Sequence, residues 1–320
     1  MVLFGFLLAA TLGVARAAPA LRIETRARAM MPGEGIRIVV SGPEGLASVE
    51  GRFLDQVLFF TSEAEAKAGG ASASAGAGGT GASAGAGGAS ASAGAGGAPA
   101  AWSAWAVVPL DAKPGAAEIT VAAKAPGGAE MRQTRMVRIA PKKFPVSKLK
   151  VASEFVEPPP AVQERIARET ARLKEVYATR RPLPPPSAPF RRPVPGEQIG
   201  VFGARRVFNG QPRAPHPGLD LRAPVGTKVS ASGPGRVALA SDLYFSGGTV
   251  ILDHGGGFFT VYAHLSKILV KEGDEVAEGA LLGLSGATGR VTGPHLHWGA
   301  KVGDRPFDPT ALLDSKLFAP

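Results

Sequence analysis

Short hydrophobic runs separated by turn residues recur over residues 20–145. Runs of four or five residues that are rich in Val, Ile and aromatic side chains are typical of β-strands. Pro32-Gly33 and Gly42-Pro43 mark turns between such runs. The spacing predicts a small, Ig-like β-sandwich over residues 20–145. Its strands are expected at residues 36–40, 57–60, 105–108, 119–122 and 136–139.

A low-complexity segment, residues 67–100, interrupts this pattern. From Gly69 to Pro99 it is almost wholly Gly, Ala and Ser, and the sequence GGASASAGAGG begins at Gly69 and again at Gly87. The segment has no large apolar side chains to bury, so burial cannot offset the entropy lost on ordering. We therefore expect a flexible loop inserted into the sandwich.

A helical periodicity covers residues 158–181 and follows the sandwich. Three prolines open it, and the Pro-rich stretch from Pro182 to Pro195 interrupts regular structure. Residues 146–189 are therefore predicted to form a helix and a Pro-rich linker. The apolar positions at roughly helical spacing are Val162, Ile166, Leu173, Val176 and Tyr177.

In the last part of the chain, residues 190–315, short runs typical of β-strands are again separated by glycines. Residues 250–252 and 260–262 are expected to be strands on either side of the turn His254-Gly255-Gly256-Gly257. The predicted fold class is thus mainly β: an amino-terminal sandwich, a helical linker and a carboxy-terminal antiparallel sheet.

The amino terminus carries an apolar run from Val2 to Val14, which is too short for a permanent membrane helix. Ala15-Arg16-Ala17 fits the small-x-small rule for signal cleavage, although no Lys or Arg precedes the run. We predict a signal peptide at residues 1–17, export to the periplasm or cell wall, and no stable membrane insertion after cleavage. A buried amino-terminal strand is the alternative.

Composition narrows the possible chemistry. The absence of Cys excludes disulfides, thiolate metal sites and Cys nucleophiles. The net charge is +10, but no Lys/Arg run is interleaved with aromatic residues, as nucleic-acid modules require. We therefore expect no nucleic-acid partner, and the sequence gives no indication of the oligomeric state.

The five histidines all lie between His216 and His297, which indicates a common site. On an extended chain His216 and Asp220 point to one face, and so do His295 and His297, while Leu296 points to the core. Three such ligands and one open position are the pattern of a catalytic zinc site. Imidazole and carboxylate ligands without thiolate suit Zn²⁺.

Three segments in this order carry a family resemblance: HPGLD from His216, YAHLS from Tyr262 and GPHLHW from Gly293. Together they resemble the signature of LytM/lysostaphin-type zinc metallopeptidases, and the likeness extends from about Phe202 to Leu313. The resemblance implies a LytM-like peptidase domain at residues 190–315 that cleaves peptide cross-links in bacterial peptidoglycan.

The resemblance also implies residue roles. His216, Asp220 and His297 match the three zinc ligands of the family. His264 and His295 match the pair that flanks the attacking water. All five positions are intact. The fifth histidine, His254, lies in a turn and is expected to be structural.

The predicted function is therefore zinc-dependent hydrolysis of peptidoglycan cross-links, which we expect to contain D-Ala. A non-catalytic, zinc-bound regulator of another wall hydrolase is the main alternative, and a wall-binding module without chemistry is a second. The V-x-x-GD-x-V-x-x-G pattern from Val270 also occurs in lipoyl and biotinyl carrier domains, but the modified-Lys motif of those domains is missing.

Overall fold

A computed structural model describes residues 20–62, 101–125, 127–151, 153, 156–183, 186 and 188–318. The predicted signal peptide and the predicted Gly/Ala/Ser insertion lie outside these residues. The fold is mainly β, as predicted, with one long α-helix in the described part of the chain. Among the described residues, no helix is both long and apolar enough to cross a membrane.

Two four-stranded sheets form the amino-terminal half, in the orders β1-β2-β6-β5 and β4-β3-β7-β8. Alternate side chains of both sheets, such as Ile38 and Val121, are buried in one core between them. The five predicted strands are present, and β1, β3 and β5 are additional; the Ig-like relationship stays a prediction. The strands are β1 (Arg22–Arg26), β2 (Gly35–Ser41), β3 (Ser48–Phe53), β4 (Gln56–Phe59), β5 (Thr61–Ser62), β6 (Trp102–Val107), β7 (Gly115–Lys124) and β8 (Glu130–Ile139).

The connecting segment contains one short strand, β9 (Val146–Leu149), and the helix α1 (Pro160–Ala178). Pro160 suits the first helical position, because the amide hydrogen it lacks would have no helical partner there. The helix is shorter than the predicted 158–181, since Thr179 already has an extended backbone. Val176 and Tyr177 are its buried residues.

The carboxy-terminal half is built around a single large sheet with the central order β10-β13-β20-β17-β16-β15-β18, in which all neighbours are antiparallel. Two 3-10 helices, Pro309–Leu313 and Ser315–Leu317, follow it. The strands are β10 (Gln198–Gly200), β11 (Arg205–Phe208), β12 (Gln211–Pro212), β13 (Gly218–Arg222), β14 (Lys228–Ser230), β15 (Gly235–Leu243), β16 (Gly247–Asp253), β17 (Phe258–Ile268), β18 (Glu275–Val276), β19 (Leu281–Ser285), β20 (His295–Val302) and β21 (Arg305–Phe307).

Strand β6 belongs to both halves of the molecule. Ala104 and Ala106 face the core of the sandwich, whereas Trp105 and Val107 belong to the core of the carboxy-terminal half. This is the two-residue alternation of a strand that is buried on both faces. The two halves are therefore packed together through a shared apolar layer.

The connecting segment is attached to the carboxy-terminal half as well. Strand β9 pairs in parallel with β11, a contact that the sequence did not predict. The side chain of Asn209 continues this pairing: its Nδ2 donates to the carbonyl of Val151, and its Oδ1 accepts from the Val151 amide. Further on, α1 packs Val176 and Tyr177 against Leu239 and Phe259.

Candidate metal centre

Three adjacent strands, β13, β20 and β17, carry four of the five predicted site residues, and the fifth, His216, lies two residues before β13. Asp220 of β13 lies directly opposite His297 of β20, and Ala263 of β17 is the next neighbour of His297. The flanking residues Leu221 and Leu296 are fully buried on the other face. The pleat of the sheet thus exposes the polar side chains to a cleft and buries the leucines.

The three predicted ligands meet at one point. His216 Nε2 lies 3.0 Å from Asp220 Oδ1 and 3.0 Å from His297 Nδ1. His297 Nδ1 lies 2.9 Å from the same carboxylate oxygen. Zinc binds nitrogen and oxygen at 2.0–2.2 Å, so tetrahedral ligand atoms are about 3.3 Å apart. The observed spacing is close to this value.

Backbone carbonyls fix the orientation of three imidazoles. Nδ1 of His216 donates to the carbonyl of Val201 at 3.0 Å, which leaves Nε2 unprotonated in the neutral ring. That lone pair faces an oxygen of Asp220, which is also an acceptor. Two acceptors at this distance repel each other, and a cation between them would satisfy both. The donor set therefore fits a divalent metal ion with nitrogen and oxygen ligands.

The protonation states of His216 and Asp220 also suit metal binding. Burial lowers the pKa of His216 to about 4, so its imidazole is neutral at pH 7. Burial raises the pKa of Asp220, but contacts with His216 and His297 outweigh this effect and hold the pKa below its ordinary value. Together these groups present neutral imidazole and an anionic carboxylate, the forms in which they ligate metals.

His264 reaches the site through a local distortion of β17. In a regular strand it would share a face with Tyr262, which is fully buried in the core. The register between β16 and β17 shifts between Gly248 and Val250, and His264 has a left-handed φ of 66°. Such a conformation costs about 1–3 kcal/mol in a residue other than Gly. The distortion brings the His264 ring to 4.8 Å from the ring of His295, measured between centroids.

His264 and His295 resemble each other in how they are held. Nδ1 of His264 donates to the carbonyl of Thr288 at 2.9 Å, and Nδ1 of His295 donates to that of Gly293 at 2.8 Å. Their Nε2 atoms therefore face the cleft, and the Nε2 atom of His295 is 3.6 Å from Asp220 Oδ1. Burial lowers the pKa of His264 to about 3, so this ring is neutral at pH 7.

Comparison with known proteins finds a family that this part of the chain resembles. A family model described as Peptidase family M23 matches residues 214–309. Residues 214–309 are therefore similar to peptidase family M23, and this matched segment is called the M23 domain below. The match begins just before His216 and ends after His297, so it contains every residue of the metal centre.

Similar proteins with curated names support the assignment. The chain is 50% identical over 106 residues to the peptidoglycan DD-endopeptidase ShyA of Vibrio cholerae, and this alignment covers 33% of this chain and 25% of ShyA. It is 40% identical over 97 residues to the DD-carboxypeptidase/endopeptidase Mpg of Neisseria meningitidis serogroup B, covering 30% of this chain and 22% of Mpg. The aligned region thus spans about a quarter of the length of these relatives.

One solved structure is similar beyond the M23 domain. It is a Pseudomonas aeruginosa protein solved as a peptidase M23, with a TM-score of 0.61 and 28% sequence identity. The alignment covers 89% of this chain and 96% of the other. The similarity therefore includes the amino-terminal sheets as well as the M23 domain.

His254 lies apart from the metal centre of the M23 domain. Its Nδ1 is 2.6 Å from the carbonyl of Pro234, and its Nε2 is 2.7 Å from Thr260 Oγ1. The ring also packs edge-on against Phe190. Both nitrogens are used inside the fold, which is the arrangement expected of a structural histidine.

A cleft of about 330 Å³ lies beside the metal centre of the M23 domain. Its lining includes residues that the sequence did not assign to the site, because they come from distant segments. The connecting segment contributes Leu149 and Val151, and α1 contributes Leu173 and Tyr177. The cationic residues that line the cleft are Arg206, Arg290 and Lys301.

Proposed function

We propose that the protein is an exported zinc-dependent endopeptidase that hydrolyses D-Ala-containing peptide cross-links of bacterial peptidoglycan. The observation that carries the proposal is the convergence of ligand atoms from His216, Asp220 and His297, about 3 Å apart, beside an open cleft. The names of ShyA and Mpg support peptidoglycan as the substrate class and a bond between D-amino acids as the target.

Zinc is the proposed cofactor, held by His216, Asp220 and His297. When bound, the ion supplies Lewis acidity, which activates water and polarises a carbonyl group. The residues of the chain provide its surroundings: Val201 orients His216 through its carbonyl, and Arg206 Nη2 lies 3.9 Å from the outer oxygen of Asp220. Partners of this kind fix the orientation of metal ligands.

His264 and His295 are the proposed acid–base and oxyanion-stabilising groups. Both present Nε2 to the cleft because their Nδ1 atoms are bound to carbonyls. A neutral imidazole with a free Nε2 can accept the proton of attacking water. Once protonated, it can donate a hydrogen bond to the oxygen that gains charge in the transition state.

The remaining segments are proposed to support this domain. We assign residues 1–17 to a signal peptide, 20–145 to a sandwich module with an insertion at 67–100, 146–189 to the connecting segment and 190–315 to the peptidase domain. The shared apolar layer around Trp105 supports a positioning or restraining role for the sandwich. Substrate of this kind lies in the periplasm or cell wall, which is where we propose the protein acts.

A zinc-bound regulator of another hydrolase is the alternative function. The three metal ligands alone would be sufficient for such a regulator. A regulator would not need His264 in a strained conformation beside His295. The presence of this second histidine pair favours an enzyme over a regulator and over a wall-binding module.

Digestion of intact peptidoglycan by the purified, zinc-loaded protein tests the proposal. Mass analysis of the soluble fragments should reveal peptides cut at D-Ala-containing cross-links. The His264→Ala variant, loaded with zinc to the same level, should release few fragments. Zinc-loaded wild-type protein that leaves the cross-links intact, yet stimulates another wall hydrolase, would support the regulator instead.

A further inference from the structure

Two arginines of the cleft pack against the same phenyl ring. The guanidinium carbon of Arg206 is 5.8 Å from the centroid of Phe208, and that of Arg290 is 5.1 Å from it. Arg290 also lies 4.6 Å from the ring of Phe245. Aromatic faces hold guanidinium groups in place through cation–π contacts. Both arginines are therefore oriented toward a common region of the cleft.

The charged side chains that line the cleft are mostly cationic. Among the described residues that line it, Arg206, Arg290 and Lys301 are cations, whereas Asp220 is the one acid. One oxygen of Asp220 is directed at the metal ligands. Burial lowers the pKa of both arginines, and Arg206 lowers that of Arg290 further, but a guanidinium remains charged. Two partly buried cations in proximity favour an anionic ligand.

A third nearby arginine makes its hydrogen bonds outside the cleft. Arg213 donates to the carbonyl of Val156 at 2.9 Å and to Gln211 Oε1 at 2.6 Å, and it is not part of the cleft lining. Arg206, in contrast, lines the cleft and lies beside Asp220. Its Nη2 is 3.9 Å from Asp220 Oδ2, so an anion bound by Arg206 would be close to the scissile bond.

We propose that Arg290 and Arg206 bind a carboxylate of the substrate peptide, carried by the residue next to the scissile bond. This inference rests on the proposed function. When a D-Ala carbonyl is joined to the α-amino group of an amino acid, the departing amine bears a free carboxylate on the adjacent carbon. Planar guanidinium groups recognise such a carboxylate through paired, charge-assisted hydrogen bonds.

Two synthetic cross-linked peptides test the proposal with zinc-loaded, full-length protein. They are identical except that this carboxylate is free in one and amidated in the other. We expect wild-type protein to cleave the free acid with a kcat/KM roughly 10- to 100-fold higher, as is typical of a charge-assisted contact. Arg290→Gln should abolish this preference mainly by raising KM for the acid. Arg290→Lys should retain part of it, because Lys keeps the charge but not the planar geometry.

Arg205→Gln is the matched control, because Arg205 neighbours Arg206 on β11 but is exposed and does not line the cleft. It should keep the full preference. Equal cleavage of both peptides by wild-type protein, or an undiminished preference in a folded Arg290→Gln variant, would overturn the inference. Calorimetric binding of the two peptides separates this outcome from failure of the proposed function. Preferential binding of the acid without any cleavage would contradict peptidase activity but support the carboxylate site.

Discussion

Trp105 of the sandwich stacks on Phe258 of the M23 domain, with ring centroids 4.9 Å apart and an angle of 20° between the planes. Trp105 also packs against Phe307 and Phe318 and is only 2% exposed. Phe258 begins β17, the strand that carries His264. One aromatic layer therefore connects the amino-terminal sheets to a strand of the metal centre.

Replacement of Trp105 by Ala should destabilise the whole protein. Loss of a large buried aromatic side chain typically lowers the free energy of unfolding by about 3–5 kcal/mol. Urea denaturation followed by circular dichroism would measure the change. Trp105→Phe should cost much less, since the ring stack remains and the indole Nε1 has no hydrogen-bond partner among the described residues. Equal stability of Trp105→Ala and wild type would show that the halves do not depend on this contact.

The second prediction concerns Gly218, which packs closely against the predicted ligand His297. A Cβ at this position would lie 2.6 Å from His297 Nε2 and 2.6 Å from the carbonyl oxygen of Trp298. Because one of these atoms belongs to the backbone, Gly218→Ala must displace the His297 ring or the strand. We expect a fall in zinc affinity of tenfold or more, roughly as for disturbed partners of metal ligands.

Titration of each apo-protein with zinc in the presence of a competing chelator would measure this affinity. Gly127→Ala is a suitable control, because nothing lies within 4 Å of its added Cβ. Unchanged zinc affinity in Gly218→Ala would show that the ring of His297 can be displaced without affecting the metal.

Metal removal should lower the thermal stability of the protein. Without a cation, acceptor atoms of His216 and Asp220 face each other at 3.0 Å. A ligand that binds only the folded state stabilises it by about 4 kcal/mol at a thousandfold excess over Kd. The melting temperature should therefore fall after dialysis against a chelator and recover on addition of Zn²⁺ but not of Mg²⁺, which prefers oxygen ligands. Identical melting curves with and without zinc would argue against a metal at this point.

The sequence predicted those features that depend on local periodicity. The spacing of His295 and His297 around Leu296 predicted one polar and one buried face, because alternation is built into any strand. The contact of β9 with β11, the stacking of Trp105 and the meeting of Arg206 with Arg290 join segments far apart in the chain. No local pattern encodes such pairings. His264 lies between these two cases. The family resemblance indicated its role, but the strand distortion that brings it to the site depends on the register between β16 and β17.

The last prediction separates the two roles within the histidine set. Nδ1 of His297 lies within 3.0 Å of both other ligand atoms, whereas His295 Nε2 is 3.6 Å from Asp220 Oδ1. A catalytic zinc site must keep one position open for water. His297→Ala should therefore lose both zinc and activity. His264→Ala and His295→Ala should keep zinc but lose activity by roughly a hundredfold or more, as for a general base or oxyanion donor.

Zinc content by atomic absorption and the rate of peptidoglycan hydrolysis, measured on all three variants, decide between these roles. His254→Ala does not serve as a control, because its ring is buried in the fold. Lys228→Ala does, since this side chain is exposed and does not line the cleft. A zinc-free His295→Ala variant beside a zinc-loaded His297→Ala variant would reverse the assignment. The open position would then lie beside His297 rather than His295, and the attacking water would have to be flanked by His264 and His297.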